Sequence, residues 1–73
     1  MEDENQAIVK IKALKDGQCH CFNMFQDGGA RCVNCKGMYV LFEIPLYGGF
    51  EAYIGTYFDS QIKEMVKEAF SWT

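Results

Sequence analysis

All four cysteines and the only histidine fall in one stretch, Cys19-His20-Cys21 followed after ten residues by Cys32-Val33-Asn34-Cys35-Lys36-Gly37. Thiolates bind soft and borderline metals, and two sequence-local pairs brought together by a turn can supply a tetrahedron with little chain to order. Without a basic, apolar leader at Met1-Glu2-Asp3-Glu4-Asn5, the chain is expected in the cytosol, where cysteines serve more often as metal ligands than as disulfides. Cys19, Cys21, Cys32 and Cys35 are therefore expected to hold one structural zinc ion, with His20 replacing a neighbouring sulfur as the alternative. Redox-active thiols and free buried cysteines are the remaining readings. Four protein donors leave no position for an activated water, and the chain has no nucleophile motif or phosphate loop, so no enzyme is expected.

The second pair, with a glycine two places beyond Cys35, resembles the knuckle of zinc-ribbon proteins. The first pair is tighter than the usual two-residue gap. The resemblance implies a small antiparallel sheet around the metal. Zinc ribbons are common in the transcription machinery, which makes RNA polymerase or an associated factor a candidate partner class.

The elements that must position these residues follow from pattern. Ala7 to Leu14 alternates, with Val9, Ile11 and Ala13 to one side and Lys10 and Lys12 to the other, and reads as an edge strand. Gln18 to Phe25 carries the first cysteine pair and leads into a short strand, and Gln26 to Ala30 reads as a turn. Met38 to Ile44 and Phe50 to Tyr57 form the strongest strand pair, joined by Pro45-Leu46-Tyr47-Gly48-Gly49. Setting Ile44 against Phe50, Phe42 against Ala52, Val40 against Ile54 and Met38 against Thr56 makes one apolar face, expected to be the core. Tyr39, Leu41, Tyr53 and Tyr57 then fall on the opposite, partly open face, which either forms an aromatic contact patch or takes the helix instead. Asp59 is expected to cap a C-terminal helix whose stripe is Ile62, Met65, Val66, Ala69 and Phe70. The fold class is α+β: a small zinc-ribbon-like antiparallel sheet with one C-terminal helix.

With 73 residues and only one proline, the chain is read as a flexible acidic arm over residues 1–6 and a single zinc-stabilised domain over 7–73. Its 49% hydrophobic content suffices for a core, while no apolar run is long enough to span a membrane. A formal charge of −3 disfavours a nonspecific nucleic-acid binder. The runner-up function is nonetheless a nucleic-acid-binding zinc ribbon using Lys10, Lys12, Lys15, Arg31 and Lys36.

The preferred reading is a small monomeric, non-catalytic regulator that binds a protein. Its candidate contacts are Glu2, Asp3, Glu4, Lys10, Lys12, Tyr39, Leu41, Tyr53 and Tyr57. In length and acidic single-domain composition the chain also resembles small phage-encoded regulators that bind bacterial RNA polymerase. That resemblance implies altered transcription initiation or termination in the host cytoplasm.

Overall fold

A computed structural model describes residues 1–25, 28–45 and 48–72. The order of elements is helix α1 (Glu4–Lys12), strands β1 (Cys19–Phe25), β2 (Gly28–Cys35), β3 (Met38–Pro45) and β4 (Ala52–Tyr57), a 3-10 turn (Asp59–Gln61) and helix α2 (Ile62–Phe70). The strands form an antiparallel meander in the order β1-β2-β3-β4. The protein is α+β, with the expected antiparallel sheet and C-terminal helix.

The N-terminal segment departs from expectation: residues 4–12 are a helix, not an edge strand. Asp3 caps it through a reciprocal pair, the Gln6 N–H donating to Asp3 Oδ1 at 2.8 Å and the Asp3 N–H donating to Gln6 Oε1 at 2.9 Å. Glu4 in the first turn and Lys10 and Lys12 in the last complement the helix dipole. Ala7 and Ile11, four apart, are the residues it buries, whereas Val9 of the apparent alternation is exposed. Asp3 and Glu4, expected in the flexible arm, thus belong to the start of α1.

Helix α2 buries Ile62, Met65, Val66 and Ala69, as its stripe predicts. Asp59 makes no side-chain cap; instead the Phe58 N–H donates to Gln61 Oε1 at 2.9 Å. Both helices lie on one face of the sheet, where Ala7, Ile11 and the α2 stripe enclose Phe22, Ala30, Cys32, Tyr39 and Leu41. Small residues on β2, Ala30 and Cys32, make room for this layer.

The turns are set by backbone conformation. Lys36 and Gly37, with φ of 52° and 87°, form a two-residue hairpin turn between Cys35 and Met38. The glycine that suggested a metal knuckle is required by this turn. Asn34 fixes it from below: buried, it accepts from the Gly37 N–H at 2.9 Å and donates through Nδ2 to the Leu14 carbonyl at 2.8 Å. Of the turn expected over Gln26 to Ala30, Gly28, Gly29 and Ala30 already belong to β2; Gln26 and Asp27 lie outside the described residues. So do Leu46 and Tyr47 of the β3–β4 connection, while Pro45 ends β3.

Candidate functional site: the sheet face opposite the helices

The pairing of β3 with β4 differs from the expected register. Tyr39 opposes Tyr57, Val40 opposes Thr56 and Leu41 opposes Gly55; the register then shifts by one residue at Ile54, so that Phe42 opposes Tyr53. More consequential is which face the helices cover. Leu41 is 0% exposed and Tyr39 7%, so these two candidate contacts are core residues. Tyr57 is half-buried at the edge of the same face and donates to Glu68 Oε2 at 2.9 Å. Burial first, then the Glu68 acceptor and its charge, push the Tyr57 hydroxyl above its ordinary pKa.

The face expected to be the core is the one without a second layer among the described residues. Met38, Val40, Phe42 and Ile44 of β3 lie there beside Cys35, Val33, Arg31 and Gly29 of β2. Cys19 and Cys21 of β1 pair with Val33 and Arg31 and share that side. Met24 extends it, since a Cβ on Gly29 would collide with the Met24 sulfur. On the far side Tyr53, 62% exposed, meets Phe42 edge-on with ring centroids 6.2 Å apart, and its hydroxyl shares a 2.8 Å hydrogen bond with Thr56.

Arg31 explains why the faces fall this way. It stands directly opposite Phe42, with its guanidinium 5.7 Å from the ring centroid, and pairs with Glu51. Packing helices on that side would enclose the ion pair, and enclosing both charges costs more than their attraction reliably returns. The opposite side of β2 offers Ala30, Cys32 and Asn34, with no charge to desolvate.

The same strand parity divides the cysteines. Cys19, Cys21 and Cys35 are exposed, on the open face, whereas Cys32 is fully buried on the helix face with its sulfur 3.9 Å from that of Met65. Four sulfurs each about 2.3 Å from one zinc must converge within about 4 Å of one another. Side chains on opposite faces of a sheet do not. Among the described residues no group of three or more His, Cys, Asp or Glu is placed to hold a metal ion. The four-sulfur set therefore does not fit zinc in this arrangement, and His20 does not complete it. His20 lies on the helix side, stacked on Phe22, with Nε2 at 3.0 and 3.1 Å from the two Glu2 oxygens.

The thiols differ in chemistry as they do in place. Burial, helped by the nearby Cys19, pushes the Cys32 thiol up to about 12, so it stays protonated at neutral pH. Cys21 is raised by burial and by Cys19, against the opposing pull of Arg31.

The remaining candidates fall elsewhere. Glu2 binds His20 and, at 2.9 Å, Lys10, fastening the N-terminus across α1 and β1. Burial raises the Glu2 carboxyl pKa, but the hydrogen bonds and charges of His20 and Lys10 outweigh it and hold it below the ordinary value. Lys10 and Lys12 lie on α1, on the other side of the sheet from Arg31, and Lys36 lies in the hairpin turn. The basic residues are not gathered into one strip.

The sequence matches no family model, and comparison with curated proteins and with solved structures likewise gives no match. Among the described residues no helix is long and apolar enough to cross a membrane.

Proposed function

We propose that the protein is a small non-catalytic regulator that binds another protein through the Val40–Phe42 face of its sheet. One observation carries this reading. Tyr39 and Leu41 of β3 are buried under the helices, whereas Val40, Phe42 and Ile44 on the other side are apolar, partly exposed and without a second layer among the described residues. An antiparallel sheet with one face in water normally carries polar residues there. A contiguous, partly exposed apolar face of this kind marks an interaction site. Phe42, Tyr53 and Arg31 supply the residue types that dominate binding energy at such sites. Bacterial RNA polymerase, the target of the small phage-encoded regulators that the chain resembles, is the first partner to test.

The test is equilibrium binding of purified bacterial RNA polymerase to the wild type and to Phe42→Asp, Val40→Asp and Lys67→Glu, after nuclease treatment. The reading expects both face variants to bind at least about tenfold more weakly, with Lys67→Glu on the outer side of α2 unchanged. Binding unaffected by Phe42→Asp and Val40→Asp would remove this face from the function. Binding lost on nuclease treatment would return the nucleic-acid alternative.

A further inference from the structure

With Cys32 taken into the core, Cys19 and Cys21 remain together on the open face, two places apart in a stretch of β1 that pairs regularly with β2 from Cys19–Val33 to Phe22–Ala30. We infer that this pair is a binding site for a soft monovalent cation, copper(I), held in a line between two thiolates. The site is separate from the docking role proposed above and from the four-sulfur zinc set.

Strand geometry selects the ion. Residues two apart in a strand point to one side, with Cα atoms about 6.6 Å apart, two rises of about 3.3 Å. A disulfide needs Cβ atoms about 3.5–4.5 Å apart, closer than side chains at that spacing stand. Tetrahedral zinc needs four donors, and among the described residues no third His, Cys, Asp or Glu completes a group with the pair. Two sulfurs leaning toward each other need close only to about 4.6 Å, with a metal–sulfur bond of about 2.3 Å on each side. Thiolates are the soft ligands that select copper(I), an ion that accepts two donors in a line.

Arg31 gives a second, independent indication. Two thiolates around one monovalent ion leave one net negative charge, which a neighbouring cation must balance. Arg31 stands directly opposite Cys21, on the same side of the sheet. Its Nη2 is taken by Glu51, while its buried Nε–H has no acceptor among the described residues. A buried donor left in this way calls for a partner. The metal-bound sulfur of Cys21, carrying charge, is such an acceptor, whereas a neutral thiol is a weak one. Cys35 shares the face but stands at the end of β2, across from Met38 and beside the Lys36-Gly37 turn.

Cys19 and Cys21 are exposed, so the ion can enter and leave without opening the core, which closes on Cys32 and not on the pair. Copper binding is therefore an added property and not a condition of folding.

Anaerobic titration of the reduced full chain with copper(I) held by bicinchoninate, a chromogenic competitor, tests the inference. Cys19→Ser, Cys21→Ser and Cys35→Ser run alongside, with circular dichroism as the fold control. The wild type is expected to withdraw one copper per chain. Alkylation of the loaded protein, read by peptide mass spectrometry, is expected to spare Cys19 and Cys21 while Cys35 reacts. Cys19→Ser and Cys21→Ser are each expected to weaken copper affinity at least about a hundredfold, the upper end of what losing a merely supporting contact costs. Cys35→Ser is expected to bind as the wild type does. A wild type that withdraws no copper, or one ion per two chains, overturns the inference. So does an affinity that falls as far in Cys35→Ser as in Cys21→Ser, or that survives both Cys19→Ser and Cys21→Ser with the fold intact. Should a variant unfold, the wild-type alkylation pattern decides alone: Cys19 and Cys21 reacting as fast with copper as without it overturns the site.

Discussion

Cys32 and Met65 meet sulfur to sulfur at 3.9 Å inside the core, on the side of the sheet away from Cys19, Cys21 and Cys35. This contact joins the middle of β2 to α2 and takes one cysteine out of the group with which its spacing suggests it should act. The burial that places it there also raises its pKa to about 12.

Thiol reactivity should follow that division. Alkylation of the folded protein at neutral pH is expected to label Cys19, Cys21 and Cys35 and to leave Cys32 unmodified until denaturant is added. Peptide mass spectrometry reads each site separately. Cys32 labelling as fast as Cys35 in the folded state would contradict its placement.

Metal removal gives a second prediction. The core is closed by α1 and α2 on the sheet, with Cys32 packed inside it. Excess chelator is therefore expected to leave the thermal midpoint unchanged, measured by circular dichroism. Collapse of the fold on chelation would show that a metal holds it, as in domains where metal binding and folding are one event.

The beginning of α1 is a third point of leverage. Asp3→Ala removes the acceptor for the Gln6 N–H and is expected to cost about 1 kcal/mol, lowering the midpoint by about 4–8 °C for a domain of this size. Asp3→Asn, which keeps an accepting oxygen, is expected to cost much less.

How much of this was readable in the residues depends on the range of the signal. Helix α2 was legible because Ile62, Met65, Val66 and Ala69 repeat with helical spacing and bury as that spacing requires. Helix α1 was not, because Val9, Ile11 and Ala13 mimic alternation; the better signal was the pairing of Asp3 with Gln6 ahead of Ala7 and Ile11. Which face the helices cover does not follow from β3 and β4 alone, because the extra residue at Ile54 and the charge at Arg31 decide it. For the cysteines, parity was available: residues two apart in a strand share a face, and residues three apart, as Cys32 and Cys35 are, do not. That rule applies only once both are known to lie in one strand. Lys36-Gly37, read as part of a metal knuckle, was the hairpin signal that places Cys35 at the end of β2.

The fastening at Glu2 predicts a pH dependence. Its carboxyl pKa is depressed in the folded protein, so the stabilisation is present above the unfolded value near 4.5 and is lost as pH falls through the lower folded value. Glu2→Gln is expected to destabilise by about 1 kcal/mol at neutral pH and to converge with the wild type in acid. Denaturant titrations at several pH values check this; a difference that stays constant into acid would contradict the ionic origin.

The central claim is that Leu41 and Phe42, neighbours in β3, serve opposite purposes, one closing the core and the other meeting a partner. Comparing Leu41→Ala with Phe42→Ala in both unfolding and RNA polymerase binding tests it most directly. Leu41→Ala is expected to lose about 2–5 kcal/mol of stability. Phe42→Ala is expected to lose less than about 1 kcal/mol of stability but at least about tenfold in binding. A Phe42→Ala protein that unfolds beside a Leu41→Ala protein that does not would reverse the two faces and contradict the account.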